Sequence, residues 1–148
     1  IYFILLILCF AWGGDTAAYF AGRAFGKHKL APKVSPKKTV EGAIGGLLGG
    51  VIGMTVFKLV ADSMAHTLTV YPPIEMAAGP QISWGAVFAL GIIGSTISQI
   101  GDLSFSVIKR EFGVKDYGNL LPGHGGILDR FDSVTFVAPF VWLALQLL

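Results

Sequence analysis

The chain has 148 residues, of which 53% are hydrophobic and only 14% are charged. Soluble domains carry about 25% charged residues, so this composition excludes an ordinary soluble domain and indicates a membrane protein. The net charge is +2, and the single cysteine, Cys9, excludes both a disulfide framework and a cysteine-based metal site. Because the sequence starts at Ile1, inside a hydrophobic stretch, we expect it to be a fragment that lacks its N-terminal part.

Four hydrophobic stretches have about the length that a membrane crossing requires. A helix needs about 20 apolar residues to span the hydrocarbon core. The last stretch is short and contains Pro139. We therefore predict an all-α, polytopic membrane protein with about four transmembrane helices. The predicted spans are 1–22, 42–61, 82–105 and 133–148.

The connections between these spans differ in charge. Residues 23–40 contain six bases and no acid, whereas residues 62–83 contain two acids and no base. Residues 102–132 contain four bases among five acids. Lysine and arginine favour the cytoplasmic side of a membrane, while acids count for little. The first and third connections are therefore predicted to be cytoplasmic and the second to lie outside.

The second span carries two series of glycines at four-residue spacing. Such strips allow another helix backbone to approach closely within a lipid bilayer. We predict a packing role for them and assign them no chemistry. The two series are Gly42, Gly46, Gly50 and Gly45, Gly49, Gly53.

Two acids in the predicted spans are candidates for function, because a charge within a membrane is costly. Asp15 is either a functional carboxylate or a packing residue bonded to a neighbouring hydroxyl, and both interpretations stay open. Asp102 closes the third span and ends a polar strip, which we expect to face protein or a water-filled cavity. The other members of this strip are Gly91, Gly94, Ser95 and Ser98.

The third connection combines flexible backbone, acids and bases. Asp129 and Asp132 are three residues apart and share a face if the last helix begins there. Carboxylates beside cationic side chains are what magnesium-assisted phosphoryl chemistry requires. In the first connection, Ser35 and Thr39 are candidate helix caps, while its lysines suit either anionic lipid or a substrate phosphate. The bases of the third connection are Lys109, Arg110, Lys115 and Arg130.

The third connection contains the segments Ser106-x-Ile108-Lys109-Arg110, Lys115-Asp116 and His124-Gly125-Gly126-Ile127-x-Asp129-Arg130-Phe131-Asp132. Together these segments resemble the signature of the phosphatidate cytidylyltransferases, or CDP-diglyceride synthases. Two upstream segments, Asp15-Thr16-x-Ala18-Tyr19 and Ser35-Pro36-Lys37-Lys38-Thr39-x-Glu41-Gly42, resemble that family as well. The resemblance covers essentially the whole chain, as the C-terminal half of such an enzyme.

This resemblance implies a nucleotidyltransferase that converts CTP and phosphatidate into CDP-diacylglycerol and pyrophosphate. It implies Mg²⁺ with K⁺ beside it, membrane lipid as a further partner, no nucleic acid, and location in the bacterial inner membrane; a homodimer is left open. Asp102 and Asp129 would share the metal, with Asp132 as a further candidate. The implied catalytic residues also include Lys109, Arg110 and His124, and the substrate-binding residues are Ser35, Lys37, Lys38, Lys115, Asp116 and Arg130.

Two other functions remain alternatives at this stage. A CTP-dependent lipid kinase of the polyprenol or phytol type would share the nucleotide and the metal but transfer the γ-phosphoryl group. An ion-coupled transporter would use Asp15 and Asp102 as intramembrane sites. The transporter interpretation leaves the Lys-Arg and His-Gly-Gly segments without a task.

Overall fold

The computed structural model describes residues 2–68, 83–114, 116–118 and 126–147. Four helices dominate these segments, so the predicted all-α class is confirmed. In chain order the elements are α1 (Tyr2–Phe25), β1 (Lys29–Ala31), β2 (Ser35–Thr39), α2 (Val40–Leu68), α3 (Trp84–Glu111) and α4 (Leu128–Leu147).

Three of these helices are long and apolar enough to cross a membrane, over Ile4–Phe25, Val40–Ser63 and Trp84–Glu111. The apolar part of α4, Phe131–Ala144, is shorter. The chain is thus a polytopic membrane protein, and a helix is found at each of the four predicted spans. The observed α4 begins at Leu128 rather than at 133, which places Asp129 in its first turn.

A short hairpin in the first connection was not predicted. Strands β1 and β2 are antiparallel, with Lys29 opposite Thr39 and Ala31 opposite Ser35. Lysine and proline are poor strand formers, so the local composition gave no indication of pairing. The hairpin joins α2 through Thr39, whose Oγ1 accepts a hydrogen bond from the Gly42 backbone at 3.1 Å. Thr39, one of the two predicted caps, therefore caps α2.

The glycines of α2 allow close contact with two neighbouring helices. A Cβ atom placed on Gly45 would collide with Ala21 of α1, and one on Gly49 would collide with Ala17. A Cβ on Gly50 would instead collide with Ser95 of α3. The packing role predicted for both series is confirmed, because these small residues set the spacing of α1, α2 and α3.

Replacing Gly49 with Ala is expected to destabilise the protein by about 1–3 kcal/mol, because the added methyl group overpacks the α1–α2 contact. The matched control is Gly13→Ala in α1, where nothing lies within 4 Å of the new Cβ. The thermal midpoints of both variants in detergent, measured on the full-length protein, check this expectation. Equal midpoints would contradict the packing role assigned to Gly49.

The apolar core occupies one end of the bundle. Its members come from the first parts of α1 and α3 and from the middle and later parts of α2 and α4. Because neighbouring helices run in opposite directions, these parts lie at the same end. The other end, where α1 and α3 finish and α2 and α4 begin, is left to small and polar residues. The core residues are Leu6, Phe10, Met54, Phe57, Val87, Leu90, Val137 and Val141.

Candidate active site

A cavity of about 480 Å³ opens at the polar end of the bundle. All four helices and the hairpin contribute to its wall. The wall carries both signs of charge, which suits a site that holds anionic phosphates together with a cation. Its acids are Asp15, Asp102, Asp129 and Asp132, and its bases are Arg23, Lys37 and Lys38.

Asp102 lies between a base and a second acid. Its Oδ2 forms an ion pair with Lys38 Nζ of strand β2, and the two side chains are 25% and 27% exposed. The carboxyl group of Asp132, which is 8% exposed, also contacts Asp102. Two carboxylates at contact distance repel each other unless a proton or a cation lies nearby. The pair is therefore a natural place for positive charge.

In the first turn of α4, Asp129 is held by three donors among the described residues. Lys109 Nζ lies 2.8 Å from Oδ1, while the backbone N–H groups of Tyr117 and Gly126 donate to Oδ2 at 2.8 Å and 3.0 Å. Burial raises the pKa of Asp129, but these hydrogen bonds outweigh it and leave the pKa below its ordinary value. Asp129 lies just before the apolar stretch Phe131–Ala144. Because its pKa is lowered, its carboxylate is ionised at neutral pH.

Asp15 is linked to the same acids through a serine. Ser133 Oγ donates to Asp15 Oδ2 at 3.0 Å, and the Ser133 backbone N–H donates to Asp132 Oδ1 at 2.8 Å. Ser133 is 2% exposed, so this link is shielded from solvent. The hydroxyl partner considered from the sequence is present, and Asp15 also lines the cavity. Both interpretations of Asp15 therefore fit its position.

The polar strip of α3 faces protein, as predicted. Gly91, Gly94, Ser95 and Ser98 are buried between the helices. The hydroxyls of the two serines have no hydrogen-bond partner among the residues that the structure describes. Asp102 continues this strip into the cavity. Helix α3 therefore places one carboxylate at the end of a strip that is otherwise uncharged.

The structure brings some of the predicted site residues to the cavity and directs others elsewhere. Ser35, Lys37 and Lys38 line it, as do the three predicted metal ligands. Lys109 and Arg110 are absent from the described lining and contact protein acceptors. Lys109 pairs with Asp129, and Arg110 Nε donates to the Val34 carbonyl at 3.1 Å. Their direct contact with phosphate stays a prediction.

Four further predicted residues are not among those that the structure describes at the cavity wall. Asp116 is exposed and does not belong to the described cavity wall. Lys115 and His124 fall outside the described residues, and the same holds for the side chain of Arg130. The roles predicted for these residues from the sequence stay predictions.

Three further polar residues of the cavity wall have no site role predicted from the sequence. Tyr19 and Arg23 follow Asp15 at four-residue intervals on α1, and Arg23 Nη1 lies 3.3 Å from the Tyr19 hydroxyl. Gln99 follows Ser95 by four residues, and its Nε2 donates to the Ala43 carbonyl at 3.0 Å. Helical spacing from an intramembrane polar residue is the pattern that could have revealed all three.

The acids fit an open cation site better than a closed metal centre. Within residues 2–68, 83–114, 116–118 and 126–147, no group of three or more His, Cys, Asp or Glu is arranged to hold a metal. Mg²⁺, however, commonly uses only one or two protein carboxylates and completes its octahedron with water and phosphate oxygens. The contact between Asp102 and Asp132 provides such a pair.

Comparison with known proteins is consistent with this chemistry. The sequence profile of the cytidylyltransferase family matches residues 1–148. The chain belongs to the cytidylyltransferase family. The family resemblance found in the sequence motifs is thereby confirmed.

Relatives of this chain occur in several bacteria. It is 41% identical to a phosphatidate cytidylyltransferase of Bacillus subtilis, over 92% of this chain and 44% of that protein. The phosphatidate cytidylyltransferases of Haemophilus influenzae and Brucella suis are 41% and 45% identical, over 95% of this chain and 44% and 45% of theirs. The chain therefore spans a little under half the length of these relatives.

Proposed function

We propose that the protein to which this chain belongs is a phosphatidate cytidylyltransferase, which makes CDP-diacylglycerol and pyrophosphate from CTP and phosphatidate. The observation that carries the proposal is the cavity, in which four carboxylates meet basic residues at one end of a membrane helix bundle. The relatives of this chain bear the name of this enzyme. The combination suits two phosphate-bearing substrates, one of which is a lipid.

The position of the cavity suits substrates that arrive from two phases. It lies at the end of the bundle that carries the basic first connection and the mixed-charge third connection. The excess of lysine and arginine in the first connection favours the cytoplasmic side, here of a bacterial inner membrane. CTP would then enter from the cytosol, while the phosphatidate headgroup would arrive along the membrane surface.

Mg²⁺ is the cation that these acids suit, with K⁺ as a second ion beside it. Asp102 and Asp129 are the proposed ligands, and the contact of Asp132 with Asp102 supports it as a third. A carboxylate offers about four lone-pair sites, and the three donors to Asp129 among the described residues occupy three of them. Bound Mg²⁺ would neutralise phosphate charge and help to align the reacting groups.

In the proposed reaction a phosphatidate oxygen attacks the α-phosphorus of CTP. A new P–O bond forms as the bond from the α-phosphorus to its bridging oxygen breaks, and pyrophosphate leaves. Phosphatidate is already an anion at neutral pH, so no strong base is needed. Lys37 and Lys38 would bind phosphate oxygens, Ser35 would donate a hydrogen bond, and positioning would supply most of the rate.

Labelled CTP tests the proposed reaction on the purified full-length protein. With α-labelled CTP and phosphatidate, we expect label in the lipid product and unlabelled pyrophosphate. With γ-labelled CTP, we expect label in pyrophosphate and none in lipid. Lipid labelled from the γ-position would instead indicate a lipid kinase. Uptake of a solute without nucleotide, together with no labelled lipid, would indicate a transporter.

A further inference from the structure

Helix α3 contacts the segment that carries the cavity lysines at three points. Gln99 Nε2 donates to the Ala43 carbonyl at the start of α2. Asp102 pairs with Lys38 in β2. Arg110 Nε donates to the Val34 carbonyl at the hairpin turn, at 3.1 Å. Later residues of α3 contact earlier residues of this segment. The hairpin therefore lies alongside the second half of α3.

The hydrogen bond from Arg110 to Val34 lies at the turn from which β2 begins. Val34 precedes Ser35, the first residue of β2, and its own N–H closes the turn by donating to the Ala31 carbonyl at 3.2 Å. Arg110 lies eight residues beyond Asp102, about 12 Å further along the helix axis. A hydrogen bond to the turn and an ion pair from Lys38 thus hold both ends of β2 against α3.

The hairpin depends on such anchors because it is short. Its strands contain three and five residues, and a two-stranded hairpin of this size is at best marginally stable alone. At its base, His28 Nδ1 lies 2.7 Å from Glu41 Oε1, which ties β1 to the first turn of α2. At its turn, the Arg110 side chain supplies the contact with the bundle.

We propose that Arg110 is a positioning residue, which anchors the hairpin turn at Val34 and thereby holds Lys37 and Lys38 in the cavity. This inference rests on the proposed function, since it concerns the placement of phosphate-binding lysines. Arg110 does not belong to the described cavity wall, whereas both lysines do. A phosphate contact by Arg110 would have to come from its Nη groups, because Nε already donates to Val34.

Amide hydrogen exchange tests the anchor without any enzymatic readout. In full-length Arg110→Gln protein, the amides of residues 29–39 are expected to exchange about tenfold faster than in the parent, because the turn loses its contact with α3. Arg110→Lys keeps a cationic donor and is expected to restore part of the protection. The control Lys37→Gln removes a cavity base but not the anchor, so its exchange should match that of the parent. Unchanged exchange in Arg110→Gln would overturn the proposal.

A chemical link between the turn and α3 separates anchoring from phosphate binding. Val34→Cys and Arg110→Cys are combined in protein whose other cysteines, including Cys9, are replaced. A short bis-methanethiosulfonate reagent joins them through two disulfides, each thiol displacing a methanesulfinate, since a direct disulfide is too short to replace a full arginine side chain. Linking is expected to raise turnover at least tenfold over the unlinked variant, and reduction to reverse it. Turnover that stays low after complete linking would show that the guanidinium itself is required.

These two experiments also distinguish this inference from the proposed function. If the parent protein transfers no cytidylyl group, the proposed function fails, while the exchange experiment still decides whether Arg110 anchors the hairpin. If transfer is confirmed and the exchange of residues 29–39 is unaffected in both Arg110→Gln and Arg110→Lys, the anchor alone is refuted.

Discussion

Replacing Asp102 with Asn is expected to reduce cytidylyl transfer roughly a thousandfold, equivalent to about 4 kcal/mol of transition-state stabilisation. Asp102 contacts both Lys38 and Asp132, so the loss of its charge disturbs a base and a proposed cation ligand together. The measurement is kcat/KM for CTP on full-length protein, at saturating and at limiting Mg²⁺. Binding of Mn²⁺, followed by electron paramagnetic resonance, should weaken in parallel.

The matched control for Asp102 is Glu111→Gln, which removes an exposed acid from the last turn of the same helix. It is expected to leave kcat/KM within about twofold of the parent, because it touches neither the cavity nor its described partners. A rate for Asp102→Asn that also lies within this range would remove Asp102 from the reaction and leave the cavity without its proposed centre.

Replacing Asp129 with Asn is expected to have a similar effect, again roughly a thousandfold on turnover. Asp129 is 10% exposed and accepts hydrogen bonds from Lys109, Tyr117 and Gly126. An amide can still accept some of these bonds but offers no charge to Lys109 or to a cation. Turnover and thermal midpoint are measured together, because breaking a buried ion pair also costs about 3–5 kcal/mol of stability.

A double-variant comparison shows how Lys109 acts. If Lys109 works through Asp129, as their 2.8 Å contact indicates, the combination of Lys109→Gln with Asp129→Asn should lose little more turnover than Asp129→Asn alone. If the fold-losses in turnover of the two single variants instead multiply in the double variant, Lys109 makes an independent contact, such as the phosphate contact predicted from its sequence motif.

Much of the architecture follows from local features of the sequence. The positions of the four helices follow from apolar length, although only three of the described helices are long and apolar enough to cross a membrane. The packing of α2 follows from the spacing of its glycines. Both features depend on residues close together in the chain. The acids of the cavity were identified for the same reason. Asp102 ends a strip on one helix, and Asp129 and Asp132 share one helical turn.

The partners of the charged side chains did not follow from the sequence. Lysine and arginine have long side chains, and their partners here lie up to 76 positions away in the chain. Lys109 and Arg110 are adjacent, yet one reaches Asp129 and the other reaches Val34. Which acceptor each meets depends on the rotation and depth of α3 relative to its neighbours.

By itself the sequence determined that this is a membrane helix bundle of the cytidylyltransferase family, with its acids and bases at one end. Only the tertiary structure decided how those charges pair. It placed Asp132 against Asp102, directed Lys38 to the same carboxylate, and formed the hairpin that carries this lysine. The reason is physical: membrane insertion depends on local hydrophobicity, whereas ion pairing depends on distances that are set when glycine surfaces bring separate helices together.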